Sequence, residues 1–184
     1  MIDSVFSYLT GLICLAVYLI YARQKRISKN RTLLCCIFIL YMTAVISLTM
    51  FPLVYDKSFS TPSDNISNRL HLIPFEVISG MITRGIPQYS ILQIGGNLIM
   101  TIPFGFAVIP ILMPKIKKQQ RLFFIILAFA FPIWIELTQL LVGASFGTFY
   151  RTCDIDDVIL NSTGIFIGYG LYFLFLKIRK KIKI

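Results

Sequence analysis

The sequence contains, at residues 151–168, the stretch Arg-Thr-Cys-Asp-Ile-Asp-Asp-Val-Ile-Leu-Asn-Ser-Thr-Gly-Ile-Phe-Ile-Gly. This stretch holds three of the eight carboxylates of the chain and continues directly into an apolar segment. If it is helical from about Asp154, steps of three and four residues place Asp154, Asp157, Asn161, Gly164 and Gly168 on one face. Because a polar stripe on an apolar helix is costly unless other groups face it, the rest of the chain should supply its partners.

The composition is typical of a membrane protein. Of the 184 residues, 57% are hydrophobic and 14% are charged, whereas an ordinary soluble domain has roughly 25% charged residues. The mean hydropathy is +0.78. The net charge of +10 comes from basic clusters at the ends of apolar runs. That pattern indicates membrane topology, and we expect no nucleic-acid partner because such a partner would require a basic face on a soluble module.

Five uncharged or weakly charged apolar runs are about as long as the ~20 residues needed to cross a bilayer. They cover residues 4–22, 33–54, 91–113, 122–142 and 157–176. The third run should be interrupted at Pro103 and Pro110. The first run is not a typical signal peptide, because no basic region precedes it. The sequence therefore predicts an all-α integral membrane protein, a bundle of about five transmembrane helices that forms one domain over residues 1–184.

The basic clusters also predict the orientation of the chain. Residues 23–31 contain five Lys and Arg, residues 115–121 contain four, and the tail at 177–184 contains five. With five spans, all three clusters lie on one side of the membrane, and basic loops remain in the cytoplasm. We therefore predict an outside N-terminus, a cytoplasmic C-terminus, and outside loops at 55–90 and 143–156.

With this orientation, the unusual polar residues of the spans fall near the outer leaflet. Asn97 is about two turns into the third span, Glu136 and Gln139 end the fourth, and Asp157 and Asn161 begin the fifth. A carboxylate at membrane depth costs roughly 2.5–3.5 kcal/mol on insertion scales and is usually paired or functional.

Two interpretations of these polar residues are open. They could form an interhelical network that only holds the bundle together, or they could form a site, with Arg69 and Arg151 as the expected partners of Glu136. In the second interpretation an outward-facing polar pocket binds a ligand. Its predicted lining is Arg69, Asn97, Glu136, Gln139, Arg151, Asp154, Asp157 and Asn161.

The glycines of the stripe predict close helix packing. Gly164 and Gly168 form a G-x-x-x-G pair on the face of Asp157, and small residues at this spacing let another helix approach closely. We expect Gly95 and Gly96, at the start of the third span, to form the matching surface.

Two more specific functions, a Ser–His hydrolase and a divalent-cation site, fit the sequence less well. The G-x-S-x-G match at 143–147, with His71 as the only histidine, suggests a Ser–His hydrolase, but a nucleophile elbow requires a strand, a turn and a helix. Asp154, Asp156, Asp157 and Glu136 could hold a divalent cation, although their spacing is not that of an EF-hand. The cysteines show no metal-knuckle spacing. We expect no metal and no cofactor.

Several short motifs together resemble the VanZ-like family of bacterial membrane proteins. In chain order these are Leu72-Ile73-Pro74-Phe75, Asn97 with Pro103-Phe104-Gly105, Glu136 with Gln139, and then Asp154, Asp157, Asn161, Gly164 and Gly168. The resemblance covers about residues 68–172. The family more often has Asn where this chain has His71. The basic tail and the first predicted helix, at about 4–22, carry no mark of the family.

The resemblance implies a multi-pass protein of the bacterial plasma membrane, in a family named for resistance to glycopeptides, in particular teicoplanin. Two hypotheses follow. The pocket could bind or modulate a membrane lipid or a lipid-linked cell-wall precursor without turnover and contribute to resistance. Alternatively, the protein could be a membrane enzyme in which Glu136, Asp154 or Asp157 is a general base. The sequence predicts neither the ligand nor the oligomeric state.

Overall fold

The structure is a computed structural model that describes residues 4–51, 69–112, 118–145 and 152–182. The predicted site residue Arg151 lies outside the described residues. The described residues group into two compact units. One contains those of 4–51 and 107–112, and the other contains those of 69–106, 118–145 and 152–182.

Six α-helices cover most of the described residues. They are α1 (Val5–Gln24), α2 (Lys29–Met50), α3 (Glu76–Thr83), α4 (Pro87–Leu112), α5 (Lys118–Ser145) and α6 (Ile155–Ile182). All of them except the short α3 are long and apolar enough to cross a membrane. The expectation of an all-α membrane protein with five candidate spans is therefore confirmed.

The expected interruption of the third span is wrong, because α4 continues as one helix through Pro103 and Pro110. Proline removes one backbone donor, and transmembrane helices tolerate this where neighbouring helices and local adjustments satisfy the freed groups. A second helix, α5, likewise contains Pro132 in its interior, and that side chain is buried.

Two further elements occur where the sequence predicts only loops. The short helix α3 lies in the segment between α2 and α4. In addition, β1 (Leu70–His71) pairs in parallel with β2 (Cys153–Asp154), so that Leu70 is opposite Cys153 and His71 is opposite Asp154. Strands of two residues are too short to show the alternating pattern by which strands are recognised.

In the first unit, α1 and α2 pack closely at Gly11. A Cβ atom added there would lie 2.5 Å from Cγ2 of Thr43. Ser7 and Gly11 are buried on α1, and Thr43 and Ser47 are buried on α2. Small and hydroxyl-bearing side chains therefore line the contact between these two helices, as is usual for helices that associate within a membrane.

In the second unit, glycines let α4 and α6 approach each other at backbone distance. A Cβ at Gly164 would lie 2.6 Å from the carbonyl oxygen of Leu98, and one at Gly168 would lie 2.8 Å from the amide nitrogen of Phe106. The surface of α4 that meets α6 differs from the expected one, since a Cβ at Gly95 or Gly96 would meet nothing within 4 Å.

Aromatic side chains join α5 to the other two long helices of this unit. Phe131 on α5 stacks on Phe104 of α4, with ring centroids 4.1 Å apart. Phe124 stacks on Tyr169 of α6 at 4.2 Å and meets Phe166 edge-to-face at 5.9 Å. These contacts join α5 to both α4 and α6.

Candidate functional site

The β1–β2 pair brings the segment that begins at Arg69 alongside the start of α6. His71 pairs with Asp154, and α6 begins at the next residue, Ile155. Residues more than 80 positions apart in the chain therefore meet at one end of α6. The motif Leu72-Ile73-Pro74-Phe75 follows β1 directly, and Leu72, Ile73 and Phe75 are exposed.

Asp156 binds the backbone at the start of α3. Its Oδ1 accepts a short hydrogen bond from the amide of Phe75, and its Oδ2 accepts one from the amide of Ile78 at 3.4 Å. Helix N-termini leave backbone donors without partners. Phe75 is the N-cap residue of α3 and has φ of 65°, a left-handed conformation that is rare for an aromatic residue. The Asp156 carboxylate is only 1% exposed and caps α3 from another part of the chain.

Glu136 and Asp154 also accept hydrogen bonds from backbone amides. Oε2 of Glu136, which is 2% exposed, accepts the amide of Asp154 at 3.0 Å. Oδ1 of Asp154 in turn accepts the amide of Asp156 at 2.9 Å. Glu136 thus connects the end of α5 to β2, and Asp154 caps the first turn of α6.

Asp157 is the meeting point of side chains from α4 and α6. Nε2 of Gln93 donates to Oδ1 of Asp157 at 2.8 Å and to Oδ2 of Asp154 at 3.4 Å. Nδ2 of Asn97 donates a short hydrogen bond to the same Oδ1 of Asp157. Gln93 was not among the predicted site residues, although its position four residues before Asn97 places both on one helical face.

Two amide oxygens beside this carboxylate are buried and have no hydrogen-bond partner within the described part of the chain. They are Oε1 of Gln93 and Oδ1 of Asn161. Asn161 is one turn beyond Asp157 on α6 and is 1% exposed. Buried polar atoms without partners are rare, and each one requires an explanation such as a bound group. We refer to Gln93, Asn97, Asp154, Asp157 and Asn161 together as the acid–amide site.

Burial weakens the acidity of the groups that precede α6. Desolvation raises the pKa of the Asp154 carboxyl, and the Asp156 charge acts in the same direction. The hydrogen bond from the Asp156 amide and the charge of His71 oppose this shift. Burial also raises the pKa of the Cys153 thiol, to which the charges of Glu136 and Asp154 contribute. The start of α6 is therefore a region where additional negative charge is disfavoured.

The predicted site residues differ in whether they contact the start of α6. Hydrogen bonds connect Asn97 to Asp157 and Glu136 to Asp154. Gln139 lies on α5 three residues after Glu136 and is half-buried, and Arg69 directly precedes β1. Gln93 is absent from the predicted site, and Asp156 is named in the prediction only as a possible cation ligand. The contacts of Asp156 depend on a chain reversal that no local pattern reveals.

The hypotheses of a Ser–His hydrolase and of a divalent-cation site find little support among the described residues. Ser145 is the last residue of α5, where its Oγ donates to the carbonyl oxygen of Leu141 at 2.8 Å. It therefore lies at a helix end and not at the strand-to-helix turn that a nucleophile elbow requires. In the part of the chain that the structure describes, no group of three or more His, Cys, Asp or Glu side chains is arranged to hold a metal ion.

Comparison with known proteins identifies the family. A family model described as VanZ/LLP1 matches residues 38–176, more than half of the chain. This range begins within α2 and includes every residue of the acid–amide site. Comparisons with curated proteins and with solved structures found no match.

Proposed function

The chain belongs to the VanZ/LLP1 family, and on that premise we propose that it is a multi-pass protein of the bacterial plasma membrane that binds or modulates a cell-envelope lipid or a lipid-linked cell-wall precursor. The acid–amide site is the proposed binding site, and it faces the outer leaflet. Binding proceeds without chemical turnover.

The observation that carries the proposal is the convergence of polar side chains from two membrane-spanning helices on Asp157. Two amide groups of α4 donate to this carboxylate, and the amide oxygens of Gln93 and Asn161 are buried without partners within the described ranges. Packing alone would favour a network in which every member is satisfied, because an unsatisfied buried polar group costs about 1–3 kcal/mol. Unsatisfied acceptor oxygens near the first turns of α6 support a binding site for the polar head of an amphiphile.

Binding is favoured over catalysis by what the other carboxylates do. Glu136 and Asp156 are almost fully buried and accept backbone amides, so both act in holding the fold. A general base must be able to reach the substrate proton. Among the three carboxylates that were candidates for this role, Glu136 is therefore the least suitable, and Asp157, which is half-buried, is the most accessible.

Native mass spectrometry of the purified protein tests the proposal. Wild-type protein extracted from bacterial membranes should retain envelope lipids, and Asp157→Asn should reduce the retained fraction at least tenfold. This substitution keeps the shape of the side chain and one acceptor oxygen but removes the charge. Glu76→Gln is the matched control, because Glu76 is an exposed carboxylate at the start of α3. Equal lipid retention by wild type and Asp157→Asn would contradict the proposed site.

The same preparation separates binding from turnover. The masses of the bound lipids should stay constant during incubation if the protein only binds them. A time-dependent appearance of a hydrolysed or transferred product, abolished by Asp157→Asn, would instead support the alternative of a membrane enzyme that acts on an envelope lipid.

A contribution to teicoplanin resistance is a further part of the proposal, and it rests on family membership. A strain that lacks the gene should become more sensitive to teicoplanin, and wild-type protein should restore growth where Asp157→Asn does not. Unchanged sensitivity to teicoplanin and to daptomycin-type lipopeptides in the deletion strain would remove resistance from the function of this protein.

A further inference from the structure

We propose that the acid–amide site binds a primary ammonium group, so that the ligand is an amphiphile with an –NH₃⁺ in its polar head. This inference rests on the proposed function and names the chemistry of the ligand. It follows from the polar atoms that remain available at the site once the hydrogen bonds within the protein have formed.

The orientation of the two amides of α4 is determined by the carboxylates of α6. Nε2 of Gln93 lies between Asp157 and Asp154, and Nδ2 of Asn97 contacts Asp157. Rotation of either amide by 180° would place its oxygen against a carboxylate. The Nε2 group of Gln93 is therefore directed at the protein, and its Oε1 is a buried acceptor without a partner among the described residues.

Asn161 supplies a second buried acceptor from α6. On the same face, Asp157 precedes it and Gly164 follows it, and both contact α4, at Asn97 and Leu98 respectively. Asn161 therefore faces α4 between these contacts. Its side chain is 1% exposed, and its Oδ1 has no hydrogen-bond partner among the residues that the structure describes. A ligand donor that reached this oxygen would satisfy it.

At this site, the buried amide atoms that lack a partner within the described residues are both acceptor oxygens, Oε1 of Gln93 and Oδ1 of Asn161. Asp157 provides a carboxylate, Gln93 and Asn161 provide amide oxygens, and Asp154 and Asp156 add negative charge within the same turn. An ammonium group offers three donors and a positive charge. A phosphate, by contrast, would bring acceptors and negative charge to a group of carboxylates.

A metal ion is a less suitable cation for these atoms. Within the described ranges, no three His, Cys, Asp or Glu side chains are placed to coordinate one. One carboxylate and two amide oxygens on separate turns instead match the number of hydrogen bonds that an ammonium group donates. Phosphatidylethanolamine and aminoacylated phosphatidylglycerol are examples of envelope lipids that carry such a group.

Lipid competition in nanodiscs or detergent, read by native mass spectrometry, tests the proposal with four synthetic probes. These are dioleoyl forms of phosphatidylethanolamine, lysyl-phosphatidylglycerol, phosphatidylcholine and phosphatidylglycerol. Phosphatidylcholine is the sharpest control, because it has the same net charge as phosphatidylethanolamine but its quaternary ammonium has no N–H donor. We expect at least one of the two amine-bearing lipids to bind tenfold more tightly than both phosphatidylcholine and phosphatidylglycerol, and their relative affinity identifies the source of the amine.

Asn161→Ala distinguishes a ligand contact from a structural role. The substitution removes a buried oxygen that has no partner in the described part of the chain, so the thermal midpoint without added lipid should stay unchanged or rise. Affinity for the preferred amine-bearing lipid should nevertheless fall at least fivefold, whereas Glu76→Gln should leave it unchanged. Undiminished affinity in Asn161→Ala, or a fall in affinity that only accompanies unfolding, would overturn the assignment of this oxygen to the ligand.

The outcomes separate this inference from the function on which it rests. If phosphatidylglycerol or phosphatidylcholine binds as tightly as the amine-bearing lipids, and Asp157→Asn weakens that binding, the ammonium assignment is wrong but the lipid site remains. If none of the four probes binds and no native envelope lipid is retained, both proposals fail.

Discussion

At the scale of single residues, the carboxylates at the start of α6 have distinct tasks despite their adjacency. Asp154 caps its own helix, Asp156 caps α3, and Asp157 receives amides from α4. In the sequence they form one acidic group. The direction of each side chain differs because consecutive residues of a helix point about 100° apart.

Asp156 should be the most important of these residues for stability. Asp156→Ala removes the acceptor of two backbone amides, one of which belongs to Phe75 in its left-handed conformation. We expect a loss of about 1–3 kcal/mol in the free energy of unfolding, read as a lower thermal midpoint in detergent. Glu76→Ala, at an exposed carboxylate of the same helix, should change it little. Equal stability of Asp156→Ala and wild type would contradict the capping role.

Asp154 should make the stability depend on pH. Because its pKa is raised in the folded protein, the folded state binds its proton more tightly than the unfolded state does. The contribution of Asp154 to stability is therefore most favourable below its ordinary, unfolded pKa and falls as the pH rises through the folded value.

Asp154→Asn keeps the acceptor for the Asp156 amide and removes the titration. Its thermal midpoint relative to wild type should therefore increase with pH between about 4 and 7. Because His71 and Asp156 also act on Asp154, the comparison is made between variant and wild type at each pH. A constant difference between the two proteins over this range would contradict the prediction.

At the scale of elements, the contact between α4 and α6 positions the site. Asn97 and Asp157 meet at one end of this contact, and Gly164, Gly168 and Gly105 carry it further along both helices. Without side chains at these glycines, the two backbones approach closely enough for the short side chains of Asn97 and Asp157 to meet.

Gly168→Ala should therefore be destabilising. The added methyl group would lie against the backbone of Ile102 and Phe106, which can yield only if the helices move apart. Overpacking of this kind costs about 1–3 kcal/mol, and the thermal midpoint should fall accordingly. Gly170→Ala is the matched control, because a Cβ at Gly170, on the same helix, would meet nothing within 4 Å. A similar thermal midpoint for both variants would show that the helices are not in close contact at Gly168.

At the scale of the whole molecule, the distribution of charge predicts the orientation of the chain in the membrane. The three basic clusters of 23–31, 115–121 and 177–184 contain 14 of the 18 Lys and Arg residues. If all five candidate spans cross the membrane, we expect the three clusters on one side, and the positive-inside rule predicts that this side is the cytoplasm. We therefore predict that the acid–amide site, near the start of α6, lies on the outer side of the membrane.

A reporter at the C-terminus tests this orientation. Alkaline phosphatase fused to the chain end should be inactive and green fluorescent protein should fluoresce, because the first requires export and the second folds in the cytoplasm. Fusions within 143–156 should give the opposite result. Phosphatase activity at the C-terminal fusion would reverse the orientation and place the acid–amide site on the cytoplasmic side.

Hydropathy was sufficient to predict the five long helices, because each one must satisfy its backbone within itself and present apolar side chains to lipid. The periodicity of α6 was likewise sufficient to place Asp157, Asn161 and the glycines on one face. The prediction for the prolines of α4 is wrong because local helix propensity does not account for neighbouring helices. In a membrane, such neighbours can satisfy the backbone groups that a proline leaves without a partner. The partner surface of Gly164 was misplaced because glycine content does not reveal which face of α4 turns toward α6.

The stretch at 151–168 by itself determined that a polar stripe begins a membrane-spanning helix, since spacing and composition are properties of the chain alone. Only the tertiary structure decided which groups meet that stripe: the amides of Gln93 and Asn97 at Asp157, and the backbone of Phe75 at Asp156. The physical reason is the range of the interactions. Helical periodicity acts within a few residues, whereas the hydrogen bonds from Asn97, Gln93 and Phe75 join positions 60 to 81 residues apart, and their pairing depends on how the separate helices pack.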